Sequence, residues 1–146
     1  MMSKLEFHFG TDGVRGVIDE DFTEYLVATL AESTIRYWSR RYGLRRLLVG
    51  FDARRKSQDF AKIVTSVALN HGIDVVMVNR PTPTPVVAWF GFRFGFDLVI
   101  QITASHNPPI YNGFKVISRI GAPAQEEDTN QIEKHTKKRR RTSINQ

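Results

Sequence analysis

Three short apolar runs punctuate the chain: Leu47-Leu48-Val49, Val75-Val76-Met77-Val78 and Leu98-Val99-Ile100-Gln101-Ile102. Near-continuous apolar runs of this length are the pattern of strands covered on both faces. Stretches with helical spacing lie between them. A first helix from Asp21 to Gly43 buries Val27, Leu30, Ala31, Thr34 and Trp38, with Glu24 three residues after Asp21 as in a capping box. A second, capped by Ser57 with Asp59 in its first turn, turns Phe60, Ile63, Val64, Val67 and Ala68 inward and stops at Gly72. A third opens at Thr84-Pro85 and runs through Trp89 and Phe90 to about Phe94. Strands alternating with helices predict an α/β fold with three α/β/α layers around a mixed, mostly parallel sheet of about four strands.

The edges of this frame are less regular. Leu5 to Phe9 reads as a first strand, followed by a glycine-rich loop from Gly10 to Gly16 that lacks both the Walker and the dinucleotide-binding spacing. The loop reads equally as a tight turn or as a phosphate-reading segment, with the Arg15 guanidinium between two glycines as its reader. Asp52 and Arg54, in the loop after the second run, read as a structural ion pair or loop brace. Pro81-Thr82-Pro83-Thr84-Pro85 excludes regular hydrogen bonding and reads as an ordered strand-to-helix connection.

The most unusual stretch follows the third apolar run. Thr103-Ala104-Ser105-His106-Asn107-Pro108-Pro109 breaks the strand with a hydroxyl, two polar groups and two prolines, which places Ser105 on an exposed loop held by a rigid strand. Asn112-Gly113 makes a turn, and Phe114-Lys115-Val116 starts another extended segment, expected to be antiparallel. Ser105 and Lys115 can thereby share one cavity. Ser105 lacks the G-x-S-x-G elbow of the α/β-hydrolases, so acyl transfer is poorly supported. After Ser118 the chain turns near Gly121 and enters a polar helix from about Gln125.

TASHNP followed by NGxK resembles the active-serine signature of the alpha-D-phosphohexomutases, which include phosphoglucomutase and phosphomannomutase. Phe9-Gly10-Thr11-Asp12-Gly13-Val14-Arg15-Gly16, Val49-Gly50-Phe51-Asp52-Ala53-Arg54 and Pro81-Thr82-Pro83-Thr84-Pro85 agree in order, so the resemblance runs from about Leu5 to Glu133. It implies an enzyme, an intramolecular phosphotransferase that moves phosphate between C1 and C6 of a hexose phosphate through a phosphoserine and a bisphosphorylated sugar. Ser105 would be the phosphoryl carrier and, through its phosphate, one ligand of Mg2+. Lys115 would be a general acid, base or charge stabiliser, and Arg15 would contact phosphate. His106 reads equally as a locally bonded loop residue or a substrate contact. Tyr111-Asn112-Gly113 after a threonine-type TASHNP looks more like the glucose/mannose mutases than the glucosamine branch.

The resemblance covers the first of four domains. The D-G-D-x-D-R magnesium loop, the sugar-reading loop of the third domain and the phosphate clamp of the fourth have no counterpart here, so this chain alone is expected to be inactive. The remaining domains and the hexose phosphate are its expected partners.

Charge divides the chain at the same place. Six of the 21 basic residues fall in residues 134–146, which hold no acid, so residues 1–133 carry 15 of each sign. A neutral domain is not the footprint of a nucleic-acid binder. The expected organisation is one domain over 1–133 and a basic tail over 134–146 that frays or is disordered. Two further readings remain open. The tail is the arm of a stand-alone binding module for nucleic acid or an acidic partner, or it marks a truncation or shifted reading frame after Glu133. No apolar run reaches the ~20 residues of a membrane span. There is no secretory h-region at the N-terminus, and no cysteine. Cytoplasm is the expected compartment.

Overall fold

The computed structural model describes residues 7–10 and 13–145, the last seven of these in backbone alone. In chain order the elements are β1 (Val14–Val17), α1 (Glu24–Tyr42), β2 (Arg46–Phe51), α2 (Ser57–Asn70), β3 (Asp74–Met77), α3 (Thr84–Arg93), β4 (Leu98–Ile102), β5 (Tyr111–Ser118) and α4 (Glu126–Asn145). The strands form one sheet in the order β1-β5-β4-β2-β3. β2 runs parallel to β3 and β4, whereas β5 is antiparallel to both β4 and β1. The sheet is therefore mixed, as expected, but has five strands rather than about four.

The additional strand is β1, inside the segment read as a glycine-rich loop. Val14 pairs with Phe114 and Arg15 with Gly113, so β1 exists because β5 offers it an edge. Of the segment read as a first strand, Phe7 to Phe9 are irregular, and Leu5 and Glu6 lie outside the described residues.

Helix starts also differ from expectation. The Thr23 hydroxyl, not Asp21, caps α1 by accepting the Leu26 N–H at 3.2 Å. The Asp21 carboxylate instead accepts the backbone N–H of Val17 and ties off the turn after β1. Gly43 ends α1 at φ 72°, and Arg40 and Arg41 lie in the last turn, where a cation complements the helix dipole. Ser57 does not cap α2 either. Lys56 precedes the helix at φ 68° without a side-chain cap, and Ser57 Oγ donates to Asp52 Oδ1 at 2.7 Å. α4 continues as helical backbone through residues 134–145.

Alternation along β4 assigns its residues to two cores. Leu98, Ile100 and Ile102 face α1 and α2, joining Phe22, Leu30, Ile35, Phe51, Phe60, Phe114 and the α4 residue Ile132. Val99 faces the other side, with Leu48, Val87 of α3, Phe96 and Ile117. Fully burying side chains of this size contributes about 1.5–3 kcal/mol each. The same alternation places Lys115 on the face of Ile117, two residues on. α3 covers that second face while Trp89 and Phe92 on its outer side remain exposed. Among the described residues no helix is long and apolar enough to cross a membrane.

Candidate active site

β4 is buried at all five positions, and burial persists through Thr103 and Ala104 before the chain emerges at Ser105. Ser105 is exposed and adopts φ 53°, a left-handed conformation that L residues other than glycine rarely hold. Such a residue costs on the order of 1–3 kcal/mol and persists where its surroundings over-determine it. Here the Ser105 N–H donates to Thr103 Oγ1 at 3.0 Å, and the Asn107 N–H donates to the Ala104 carbonyl at 3.0 Å. The loop closes where the Thr103 N–H meets the Gly113 carbonyl at 3.0 Å. Gly113 is required by that closure, since a Cβ there would stand 2.4 Å from the Thr103 carbonyl oxygen.

One side chain reads the rest of the loop backbone. The Arg54 guanidinium donates to the carbonyls of Ser105 at 2.7 Å and Asn107 at 2.6 Å through Nη2, and of Pro108 at 2.8 Å and Tyr111 at 3.1 Å through Nη1. Its Nε lies 3.3 Å from Asp52 Oδ2. Asp52 is held in turn: Oδ1 accepts the Arg54 N–H at 3.0 Å and the Ser57 hydroxyl at 2.7 Å. Ser57 Oγ accepts from the buried Asn112 Nδ2 at 2.9 Å, and Asn112 Oδ1 accepts the Gly113 N–H. The expected loop brace is present, and it closes a circuit from β2 through α2 to β5 around the Ser105 loop.

A cleft of about 520 Å3 opens beside this loop. Ser105, His106 and Lys115 all line it, as do Asp52, Thr103, Ile117 and the start of α3 at Pro83, Thr84 and Pro85. It lies at the carboxyl ends of the parallel strands β2 and β4, where open α/β sheets place ligands. Gln101 Nε2 fixes the proline-rich wall by donating to the Thr82 carbonyl at 2.9 Å. The positive end of the α3 dipole, Lys115 and His106 therefore converge on the Ser105 side of one cleft, an arrangement suited to a phosphate.

Arg15 stands apart from the other three: it does not line the cleft, and its Nη1 donates to Asn107 Oδ1 at 2.6 Å. Neither Asn107 nor Thr103 was expected in the site. Their roles follow from the loop's folded path, which the sequence motif names but does not draw. Magnesium finds little to hold it among the described residues. No group of three His, Cys, Asp or Glu clusters there, and the carboxylate in the cleft, Asp52, is committed to Arg54 and Ser57.

Residues 6–143 match the family described as phosphoglucomutase/phosphomannomutase, alpha/beta/alpha domain I. The chain belongs to this family. Its relatives include the phosphoglucosamine/phosphogalactosamine mutase of Sulfurisphaera tokodaii, 36% identical over 90% of this chain and 28% of that protein. The phosphoglucosamine mutase of Wolinella succinogenes is 34% identical over 86% of this chain and 28% of its own length. Among solved structures, a Thermus thermophilus protein described as a phosphomannomutase superposes with a TM-score of 0.85 at 34% identity, covering 89% of this chain and 30% of that one. Parafusin, a phosphoglucomutase from Paramecium, gives 0.76 at 27% identity, covering 89% and 25%. The chain thus spans under a third of the length of the relatives it matches.

Proposed function

We propose that this chain supplies the phosphoserine loop of a mutase that moves phosphate between C1 and C6 of a hexose phosphate. The observation that carries the reading is the convergence of Ser105, His106 and Lys115 on one cleft at the N-terminus of α3. Phosphoryl transfer demands positioning and neutralised oxygen charge more than covalent chemistry from the protein. The bond from phosphorus to Ser105 Oγ breaks as one to a sugar hydroxyl forms, and the hydroxyl proton passes to a base. The bisphosphorylated sugar then turns over and returns its other phosphate to Ser105. Lys115 is the acid, base or charge stabiliser, His106 a substrate contact, and Arg15 reads phosphate from the Asn107 side of the loop.

A magnesium ion on the phosphoserine would draw its remaining ligands from outside the described residues, as hard cations require several oxygens. The other domains of the relatives are the natural source of those ligands, and the chain alone is inactive in this reading. The glucose/mannose choice rests on Thr103 and Tyr111-Asn112-Gly113 and is supported by the phosphomannomutase neighbour. The glucosamine mutases among the relatives set hexosamine phosphate beside it as the substrate to be compared. Soluble sugar phosphates fit a cytoplasmic location.

Supplying the missing domains by fusing this chain in place of the first domain of the Sulfurisphaera tokodaii relative, incubating the fusion with magnesium and a hexose 1,6-bisphosphate, and mapping phosphopeptides by mass spectrometry tests the reading. Phosphate on Ser105, lost in Ser105→Ala, is expected. Phosphate at other hydroxyls with Ser105 unmodified contradicts it.

A further inference from the structure

A second cavity lies on the opposite side of the sheet from the Ser105 cleft, between α1 and α4. It measures about 290 Å3 and is lined by Ser33, Arg36, Tyr37, Arg40, Arg41 and His135. Helical spacing explains why one helix supplies five of these six: residues 33, 36, 37, 40 and 41 fall on a single stripe. Three of the lining residues are arginines. Arg36 is partly satisfied by Glu32, 3.0 Å from its Nε. Arg41 lies over the Tyr42 ring, its guanidinium carbon 4.9 Å from the centroid. Among the described residues neither Arg40 nor Arg41 has a carboxylate within ion-pair distance.

The floor of the cavity provides an independent observation. Ser33 is 1% exposed, and its hydroxyl has no hydrogen-bond partner among the described residues. A buried hydroxyl without a partner costs roughly 1–3 kcal/mol, and native structures leave few such groups unexplained. Tyr37, which also lines the cavity, gives its hydroxyl proton to Asp128 Oδ1 at 2.6 Å and makes no hydrogen bond to Ser33. An orphaned donor thus sits beneath two arginines and a histidine.

We infer that this cavity is a binding site for a phosphate group, free or as a small phosphate ester. The Ser33 hydroxyl donates to one oxygen, and the Arg40 and Arg41 forks take the others in charge-assisted bonds, the geometry for which arginine is preferred to lysine. His135 closes the α4 side. The volume admits a phosphate with a sugar-sized substituent and excludes a folded partner. Lys134 adds positive charge on α4 without lining the cavity, so it attracts the anion at long range. This site is separate from the Ser105 cleft and does not depend on the mutase reading.

The test is a titration of the isotope-labelled chain with inorganic phosphate and, in parallel, with glucose 6-phosphate, followed by NMR at constant ionic strength. Saturating shifts at residues 33–41 and 135 are expected with at least one of the two, and the tighter ligand distinguishes free anion from ester. Replacing two exposed arginines, Arg40→Gln with Arg41→Gln, should weaken binding at least about tenfold while leaving shifts across residues 103–115 unchanged. Ser33→Ala should weaken it several-fold with the fold intact. Shifts confined to residues 103–115 overturn the inference, as does equal response in the wild type and the double variant, or an equal response to chloride.

Discussion

Arg54 Nη2 donates to the carbonyl oxygen of Ser105 at 2.7 Å, from a residue 51 positions earlier in the chain. The same guanidinium holds three other carbonyls of the loop and is anchored to Asp52. The exposed Ser105 is therefore fixed through its backbone, which leaves its hydroxyl unencumbered by the positioning. Lysine keeps the charge but cannot span four acceptors. Arg54→Lys should destabilise the chain by about 2–4 kcal/mol, since hydrogen bonds to charged groups contribute about 1.5–3 kcal/mol each and only some are regained. Hydrogen exchange should speed up first at the amides of residues 104–113. Unchanged exchange there would show that the loop is held by other means.

Ser105 itself is set against stability. At φ 53° a glycine is relieved of strain that serine bears, so Ser105→Gly should raise stability by roughly 0.5–1 kcal/mol, read as a small rise in melting temperature. Ser105→Ala keeps the strain and should melt near the wild type. A glycine variant less stable than the alanine variant would contradict the account.

Gly113 tests the closure of the loop. Its missing Cβ leaves room for the Thr103 carbonyl and, at 2.9 Å, for that of Val14. Gly113→Ala must push β1 or β4 away from β5, at a cost of about 1–3 kcal/mol or more. Denaturant titration measures the loss, and amides of residues 14–17 should lose protection with it.

The docking of α4 on α1 carries a pH dependence of known sign. Burial first, and then the hydrogen bond and negative charge of Asp128, push the Tyr37 hydroxyl above its usual value of 10. Burial and Asp128 raise Tyr42 as well, and Tyr42 donates to Asp128 Oδ1 at 2.8 Å. A raised folded value means that the protonated form is favoured by folding. Stability is fully present below pH 10 and is lost as pH climbs from there through the folded value. Tyrosinate absorbance should therefore show Tyr37 ionising later than free tyrosine, and Asp128→Asn should bring its ionisation back toward the usual value. Tyr37 titrating with free tyrosine in the wild type would remove the basis for this linkage.

Much of the fold was legible because the core obeys periodicity. The runs at Leu47, Val75 and Leu98 announce β2, β3 and β4, and the Val27-to-Trp38 stripe announces α1. β1 was not legible: Arg15 and Gly16 carry loop chemistry locally, and only the register with Asn112 and Gly113 makes them a strand. The helix starts were misplaced because Asp21 and Ser57 spend their oxygens on Val17 and Asp52 rather than on their own helices. At the site, the motif names Ser105, His106 and Lys115 and the cleft collects them. The four carbonyls of Arg54 leave no trace in the sequence beyond the Asp52-Ala53-Arg54 spacing, since backbone acceptors carry no residue identity.

The central claim is that Ser105 carries the transferred phosphoryl group. Its most direct test replaces the first domain of the Sulfurisphaera tokodaii relative with residues 1–143 of this chain and assays interconversion of hexose and hexosamine 1- and 6-phosphates. The account predicts turnover by the chimaera with phosphate trapped on Ser105, and a loss of at least about a thousandfold in Ser105→Ala, the scale of removing a covalent catalyst. A chimaera that turns over equally well as Ser105→Ala would contradict it.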